Sequence, residues 1–157
     1  MFEALMLLLV ANGTPVLARK FLGGNAAWPL DANYMMADGE PLLGVSKTFR
    51  GIILAVFATA LTAEILGQGW QLGVSFGALS MLGDLFSSFT KRRLGMSSGT
   101  QAPGLDQLPE ALLPLAVCAE SLSLPWLEVL ITAGLFWVLE VVLSRILYSV
   151  HIRKHPW

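Results

Sequence analysis

The sequence is poor in charge, in cysteine and in histidine. Charged residues make up 13% of the 157 residues, whereas soluble domains carry about 25%. A soluble globular domain is therefore not predicted. The net charge of −1 gives no reason to expect a nucleic acid partner. The one cysteine, Cys118, lies in an apolar stretch, so it forms no disulfide within the chain and is expected to be a small core residue.

The two histidines, His151 and His155, both lie near the C-terminus, and we expect surface roles for them. No pattern in the sequence suggests a Ser-His-Asp or Cys-His catalytic set, and none suggests a His/Cys metal cluster. Chemistry that depends on carboxylates, cationic side chains and phosphate groups remains open.

Hydrophobic residues, in contrast, make up 55% of the chain. They form five apolar stretches, which cover residues 1–18, 49–66, 71–86, 110–122 and 125–150. A membrane-spanning helix needs roughly 17–25 residues. The third stretch reaches that length if it continues to Arg93, and the fourth, which contains Pro114, is either a half-span or a helix that starts earlier. The predicted fold is all-α: one domain, residues 1–157, forming a polytopic transmembrane helical bundle of about five spans.

Two long polar loops, residues 19–48 and 87–109, separate the apolar stretches. With five spans and an external N-terminus, all ten lysines and arginines fall on one side of the membrane. Cytoplasmic loops carry an excess of lysine and arginine. We therefore predict a multi-pass protein of the cell (inner) membrane, with both loops and the C-terminus in the cytoplasm. Glu3 lies at the start of the first apolar stretch, and Arg19 and Lys20 follow the stretch. This is the reverse of a signal peptide, so the helix is expected to be retained.

Asp84 is the first acid with a candidate chemical role. It shares a helix face with Ser88 and Lys91, at i, i+4 and i+7. An acid near the end of a membrane helix is costly unless it is paired or binds a cation. An ion pair with Lys91 or Arg92 that anchors the helix end is one interpretation, and a metal ligand is the other.

Asp106 is the second acid, and it follows a Gly/Pro-rich turn at residues 102–104. It is either the N-cap of the fourth helix or a second ligand for Mg²⁺, which favours carboxylates together with substrate phosphate oxygens. The run from Lys91 to Arg93 either neutralises phosphates or forms an ordinary cytoplasmic collar.

The first loop ends in a second cationic segment, Gly44 to Gly51. Thr48 can cap the second helix, and Lys47 and Arg50 flank the positive end of that helix, which predicts an anion site. The pattern is not a P-loop, because the lysine comes two residues too late and no strand precedes it.

Three other polar or small-residue features stand out within the apolar stretches. Asn12 either hydrogen-bonds a neighbouring helix or contacts substrate. Glu140 shares a face with Ser144 and needs a partner that the sequence does not identify. Three glycines spaced four apart, at positions 69, 73 and 77, predict close helix packing.

Taken together, these motifs resemble the CDP-archaeol synthase family and, more widely, the phosphatidate cytidylyltransferases (CDP-diglyceride synthetases). The resemblance is carried by GALSMLGDLFSSFTKRRLG, PGLDQLPEALLPL, ANGTPVLARK, PLDANYMMADGEPLLGVSKTFRG and the terminal Pro156-Trp157. It extends over nearly the whole chain.

The resemblance implies transfer of the CMP moiety of CTP to a glycerol-lipid phosphate, giving a CDP-lipid and pyrophosphate in phospholipid biosynthesis, with Mg²⁺. The acceptor would be an archaeal-type unsaturated dialkylglycerol phosphate or phosphatidate. The implied metal ligands are Asp84 and Asp106. The implied catalytic residues are Lys91, Arg92 and Ser88. The implied substrate-binding residues are Asn12, Gly44, Lys47, Thr48 and Arg50.

Two other functions are weighed against this one. A non-catalytic lipid-binding accessory subunit, or a small channel component, would keep the charge asymmetry but have no use for two acids and two anion-binding segments. A different lipid-phosphate enzyme, such as an isoprenoid phosphate kinase or phosphatase, would use similar groups. The expected partners are CTP, a lipid phosphate and the bilayer, with a homo-oligomer left open.

Overall fold

The computed structural model describes residues 1–149 and is built from five α-helices. The helices are α1 (Phe2–Leu22), α2 (Phe49–Ile65), α3 (Trp70–Arg93), α4 (Gln107–Val117) and α5 (Trp126–Ser149). Extended pairing in the described part is limited to two isolated bridges, so the all-α prediction is confirmed. Both histidines and the terminal Pro156-Trp157 lie outside the described residues.

Helix length separates these five elements into two groups. The helices α1, α3 and α5 are long and apolar enough to cross a bilayer, and α3 does continue to Arg93. α2 has 17 residues, the lower end of the spanning range. α4 has 11 residues, about 16 Å at 1.5 Å per residue, roughly half the hydrocarbon thickness. This length favours the half-span interpretation of α4, and the total of five spans stays a prediction.

One buried apolar cluster draws on all five helices. Its most enclosed members are Leu7, Leu8, Ala63, Phe76, Leu115, Val129 and Phe136. These residues lie where α1, α3 and α5 begin and where α2 and α4 end. The core therefore occupies the end of the bundle away from the polar loops. Cys118 belongs to this cluster and is buried, as predicted.

Glycine brings α2 and α3 into close contact. A Cβ atom on Gly73 would lie 2.5 Å from the Cα atom of Ala60, and one on Gly77 would lie 3.1 Å from the Cα atom of Val56. The predicted close packing is confirmed for these two positions. Gly69 is different: it precedes α3 with φ +84°, a conformation that glycine adopts without steric cost.

The two polar loops meet at the other end of the bundle. The Arg93 guanidinium lies 2.6 Å from the Asp38 carboxylate and donates to the Pro41 carbonyl at 2.6 Å. The Ser98 hydroxyl lies 3.4 Å from that of Ser46. Both loops therefore lie at one end of the helices, as the charge pattern predicts.

The starts of two helices test the predicted caps. The Thr48 hydroxyl accepts the N–H of Gly51 at 3.2 Å and caps α2, as predicted. Asp106 precedes α4, but its carboxylate accepts the N–H of Ala102 at 2.8 Å and makes no capping bond. The side-chain cap predicted for Asp106 is therefore wrong. Asp106 has helical backbone angles (φ −74°, ψ −51°). Its carboxylate nevertheless accepts a hydrogen bond from the preceding turn rather than from α4.

Candidate active site

A cavity of about 250 Å³ lies between the helices at the loop end of the bundle. Its walls come from α1, α3, α4, α5 and both loops. The polar residues that line it are Asn12, Arg19, Ser46, Lys47, Asp84, Ser88, Lys91, Arg92, Thr100, Gln101, Asp106, Gln107, Glu110, Glu140 and Ser144. This lining brings together acids and cations from parts of the chain that are far apart in sequence.

The cavity reaches well below the ends of the helices. Asp84 lies nine residues before Arg93, the last residue of α3, which corresponds to about 13 Å along the helix axis. Asp84 therefore lies among the apolar helices rather than at the outer surface of the loops.

Asp84 pairs with a lysine from the first loop. The Lys47 ammonium lies 2.6 Å from both carboxylate oxygens of Asp84. The interpretation that Asp84 pairs with Lys91 or Arg92 on its own helix is therefore wrong. The first loop crosses the end of α3, and this crossing brings Lys47 to the acid.

Asp106 forms the second pair, with Lys91. The Lys91 ammonium lies 2.6 Å from the Asp106 carboxylate and also donates to the Thr100 carbonyl at 3.0 Å. Lys91 is buried, so its charge is held between α3 and the second loop. Each of the two predicted acids thus faces the cavity together with an ammonium group.

Arg92 and Ser88 complete the α3 wall. Arg92 is 2% exposed, and its guanidinium donates to the Ser97 carbonyl at 3.0 Å. Ser88 is buried and lines the cavity one turn beyond Asp84. The cationic charge of Arg92 is therefore presented by a side chain that packing and a hydrogen bond hold in place.

Asn12 contributes from α1. Its amide nitrogen donates to the Ser80 hydroxyl at 3.1 Å and to the Leu8 carbonyl at 3.0 Å. The predicted hydrogen bond to a neighbouring helix is thus confirmed. Asn12 also lines the cavity, and its contact with substrate stays a prediction.

Gly44, Thr48 and Arg50 lie beside the cavity without lining it. The Arg50 guanidinium donates to the carbonyls of Gly23 (2.9 Å) and Asn25. Carbonyl groups at the end of a helix have no partner within that helix and attract cations, which explains why Arg50 turns towards the end of α1. A direct phosphate contact for Arg50 therefore has no support from this geometry.

Asp31 was not among the predicted site residues, although it shapes the site. Its carboxylate accepts the N–H groups of Leu43 and Gly44, both at 2.9 Å, and that of Asn33 at 3.1 Å. Burial alone would raise the pKa of Asp31, but these donors outweigh it and hold the pKa below the ordinary value for an aspartate. The ionised carboxylate thus fixes the turn that precedes Lys47.

Glu110 and Glu140 are two further acids of the cavity. Glu110 is 5% exposed, and within the described residues its Oε1 atom has no hydrogen-bond partner. Glu140 lines the cavity together with Ser144, its predicted face-sharing neighbour. The sequence signal for Glu110 is an acid within a short apolar helix, where an ionisable side chain is expensive unless it has a function.

The donor set fits a magnesium–nucleotide complex. Within residues 1–149, no three His, Cys, Asp or Glu side chains are grouped to hold a metal on their own. Mg²⁺ commonly takes one or two carboxylates and completes its shell with phosphate oxygens and water. Asp84 and Asp106, with the unpaired oxygen of Glu110 nearby, match that chemistry better than a cation bound by protein alone.

Comparison with known proteins agrees with the motifs. The CarS-like, CDP-archaeol synthase family model matches residues 68–157. The CDP-archaeol synthase of Sulfurisphaera tokodaii is 37% identical over 95% of this chain and 90% of its own length. That of Aeropyrum pernix is 36% identical, over 99% of this chain and 91% of its own length.

A solved structure is also similar to this chain. It is the structure of an intramembrane enzyme for archaeal membrane lipids biosynthesis, and it matches with a TM-score of 0.72 and 28% identity over 90% of both chains. The helices of the present chain and this likeness identify a membrane protein. The predicted resemblance is therefore confirmed, and this helical membrane protein belongs to the CDP-archaeol synthase family.

Proposed function

We propose that this protein transfers the cytidylyl group of CTP to a lipid phosphate and releases pyrophosphate. An unsaturated dialkylglycerol phosphate of the archaeal type is the favoured acceptor, because the curated relatives are CDP-archaeol synthases. The observation that carries the proposal is the cavity itself, which brings Asp84 and Asp106 together with Lys47, Lys91 and Arg92.

The lipid phosphate is the nucleophile of this reaction. A phosphate monoester is largely dianionic at neutral pH, since its second pKa is near 6. One of its oxygens attacks the α-phosphorus of CTP and forms a new P–O bond. The bond between the α-phosphorus and the oxygen bridging to the β-phosphorus breaks, and its electron pair leaves with pyrophosphate. No side chain is needed as a general base.

The protein's share of catalysis is then positioning and charge stabilisation. Lys47, Lys91 and Arg92 neutralise the phosphates of CTP and the charge that develops on pyrophosphate. Asp84 and Asp106 would hold Mg²⁺, which screens the repulsion between the nucleotide and the attacking lipid phosphate. Ser88, on the same face as Asp84, would donate a hydrogen bond to a phosphate oxygen.

The proposal places the loop end of the bundle in the cytoplasm. The lysine and arginine bias supports this orientation, and the cavity is lined by both loops at that end. CTP then reaches the cavity from water, between the loops, while the lipid phosphate reaches it from the bilayer.

The test is a cytidylyl transfer assay in detergent micelles with Mg²⁺, labelled CTP and an unsaturated dialkylglycerol phosphate. Asp84→Asn and Asp106→Asn are each expected to lower CDP-lipid formation by about 100-fold or more, because each removes a charge from the reaction centre. Glu120→Gln is the matched control. It neutralises an exposed acid beyond α4, at the opposite end from the loops, and should leave the rate unchanged.

Full activity in both Asn variants would contradict the assignment of Asp84 and Asp106 as metal ligands. Release of inorganic phosphate, or phosphorylation of the lipid, would favour the phosphatase or kinase alternative. A protein that binds the lipid but converts neither substrate would favour the accessory-protein alternative. That alternative is not favoured by the comparisons, whose named relatives are enzymes.

A further inference from the structure

The proposed function sets a geometric problem, since the acceptor has a charged phosphate and long hydrocarbon chains. The cavity is lined mainly by polar and charged side chains, so it has no favourable place for hydrocarbon. The chains must therefore stay outside, against the lipid-facing surface of a helix, while the phosphate enters. The lipid should therefore bind at a wall of the cavity that is formed by a membrane helix and carries a cationic side chain.

The α1 wall has this combination. Asn12, Pro15, Val16 and Arg19 all line the cavity, and their spacing of i, i+3, i+4 and i+7 places them on one helix face. Polar side chains lie at the two ends of this face and apolar ones between them. A lipid lying along α1 would thus have its phosphate near Arg19 and its hydrocarbon chains near Pro15 and Val16.

The height of Arg19 suits a lipid headgroup. Arg19 lies three residues before Leu22, the last residue of α1, or about 4–5 Å from the end of the helix. Asp84 lies about 13 Å below the end of α3 by the same measure. Arg19 is therefore nearer than Asp84 to the loop end of the bundle, where the proposed orientation puts the lipid headgroups.

The charge of Arg19 is also available. Lys47 and Lys91 are paired with acids, and Arg92 is held by a carbonyl group. The Arg19 side chain is exposed, and within residues 1–149 no carboxylate lies within ion-pair distance of it. Arginine is suited to this role because its planar guanidinium can bind two phosphate oxygens at once.

The surface beside Arg19 is apolar. Pro15 and Val16 on the same helix face are half-buried, and Leu22, three residues after Arg19, is 47% exposed, so hydrocarbon chains can lie against this face. The α5 wall, in contrast, contributes only Glu140 and Ser144 to the cavity lining, and neither carries positive charge.

A second apolar groove, on α2 and α3, offers a weaker alternative. It is lined by residues such as Ile53, Phe57 and Trp70, and its one charged member is the acid Glu64. None of its lining residues also lines the cavity. A lipid held in that groove would have its phosphate away from Asp84.

We propose that Arg19 binds the phosphate of the lipid substrate, which reaches the cavity along α1 with its hydrocarbon chains outside the protein. This inference rests on the proposed function. It assigns CTP to Lys47, Lys91 and Arg92, on the α3 and loop walls of the cavity, and the lipid phosphate to Arg19, on the α1 wall.

The kinetic test uses the full-length protein in mixed micelles. Arg19→Gln is expected to raise the KM for an unsaturated dialkylglycerol phosphate by about ten- to a hundredfold, the usual loss for a charged hydrogen bond, and to leave the KM for CTP within about twofold. Arg19→Lys should restore most of the loss, since it keeps the charge. Lys20→Gln is the matched control, because Lys20 is adjacent and exposed but does not line the cavity.

A binding measurement without CTP separates this inference from the proposed reaction. Native mass spectrometry of the detergent-solubilised protein counts bound dialkylglycerol phosphate on wild type, Arg19→Gln and Lys20→Gln. Weaker binding by Arg19→Gln alone supports the inference even if no variant forms CDP-lipid, in which case only the proposed reaction fails.

Equal lipid binding by wild type and Arg19→Gln overturns the inference. So does an equal loss in Arg19→Gln and Lys20→Gln, which would indicate a general surface-charge effect. A rise in the KM for CTP alone would assign Arg19 to the nucleotide, and would overturn it as well.

Discussion

Asp84 and Asp106 are each neutralised by a lysine that reaches them from another segment. Lys47 of the first loop pairs with Asp84 of α3, and Lys91 of α3 pairs with Asp106 at the start of α4. Both pairs are partly accessible, so incoming phosphates can compete for the lysines. We expect substrate binding to exchange these partners: the lysines turn to the phosphates, and the carboxylates are left for a divalent cation.

Asp31 lends itself to a stability test, since it accepts hydrogen bonds from the turn before Lys47. Asp31→Ala leaves the buried N–H of Gly44 without this acceptor, which costs about 1–3 kcal/mol, and it lets Lys47 move. We expect a lower midpoint of thermal unfolding in detergent and a higher KM for CTP. Asp38→Ala, which removes an exposed carboxylate from the same loop, should lower the midpoint less, and an equal loss would contradict this account.

The same carboxylate predicts a dependence on pH. The pKa of Asp31 in the folded protein lies below its ordinary, unfolded-state value because backbone donors outweigh burial. Its stabilising contribution is therefore complete above the unfolded-state pKa and is lost as the pH falls through the folded-state pKa. The difference in unfolding midpoint between wild type and Asp31→Ala should be constant near neutral pH and shrink below about pH 4. A difference that stays constant down to pH 3 would contradict the role of the ionised form.

The sequence identified the acids and the cations but not their partners. Asp84, Asp106 and Lys91 stand out because charged residues are rare in apolar segments. Which lysine meets which acid depends on the path of the first loop across α3, and helical periodicity carries no information about that path. The partner of Arg50 could not be predicted either. Its guanidinium binds the carbonyl groups at the end of α1 instead of lining the cavity.

At the level of helices, α3 organises the site through its glycines. A Cβ atom on Gly83 would lie 2.3 Å from the Pro109 carbonyl oxygen and 2.6 Å from the Cα atom of Glu110. The backbones of α3 and α4 therefore touch at the residue directly before Asp84. This close approach is what brings Asp84 to the same cavity as Asp106 and Glu110.

Gly83→Ala should separate α3 from α4, since the contacting atoms of Pro109 and Glu110 belong to the backbone and cannot rotate away. We expect a loss of about 1–3 kcal/mol in stability from overpacking and a marked loss of activity as the acids move apart. Gly134→Ala in α5 is the control, because nothing lies within 4 Å of its added Cβ atom; alanine there should be neutral or slightly stabilising. Unfolding midpoints and initial rates of the two variants provide the comparison, and indistinguishable values would contradict the packing argument.

The five apolar stretches located all five helices, with errors at their ends. The start of α2 at Phe49 is correct, because Thr48 supplies a recognisable cap. α1 continues past its apolar stretch to Leu22, since arginine and lysine can extend their side chains towards water while the backbone stays helical. α4 starts earlier than its apolar stretch, at Gln107. Hydropathy records where side chains are apolar, whereas hydrogen bonding decides where a helix ends.

The whole molecule is asymmetric along the helix axes. The apolar core fills one end, where all five helices contribute fully or almost fully buried apolar side chains. The charged cavity and both polar loops occupy the other end. An enzyme that joins a nucleotide from water to a lipid from the bilayer needs such a site, open to both phases but enclosed on the remaining side.

This asymmetry predicts which end of the molecule faces the cytoplasm. The orientation can be tested with two serine-to-cysteine variants in a Cys118→Ser background. Ser97 lies in the second loop, and Ser121 lies in the connection from α4 to α5. Both residues are exposed. In right-side-out membrane vesicles, a membrane-impermeant maleimide should label Ser121→Cys and spare Ser97→Cys; in inverted vesicles the order should reverse, as the positive-inside rule requires. Labelling of Ser97→Cys from outside would place the cavity away from cytoplasmic CTP, and the proposed reaction would then need another nucleotide source.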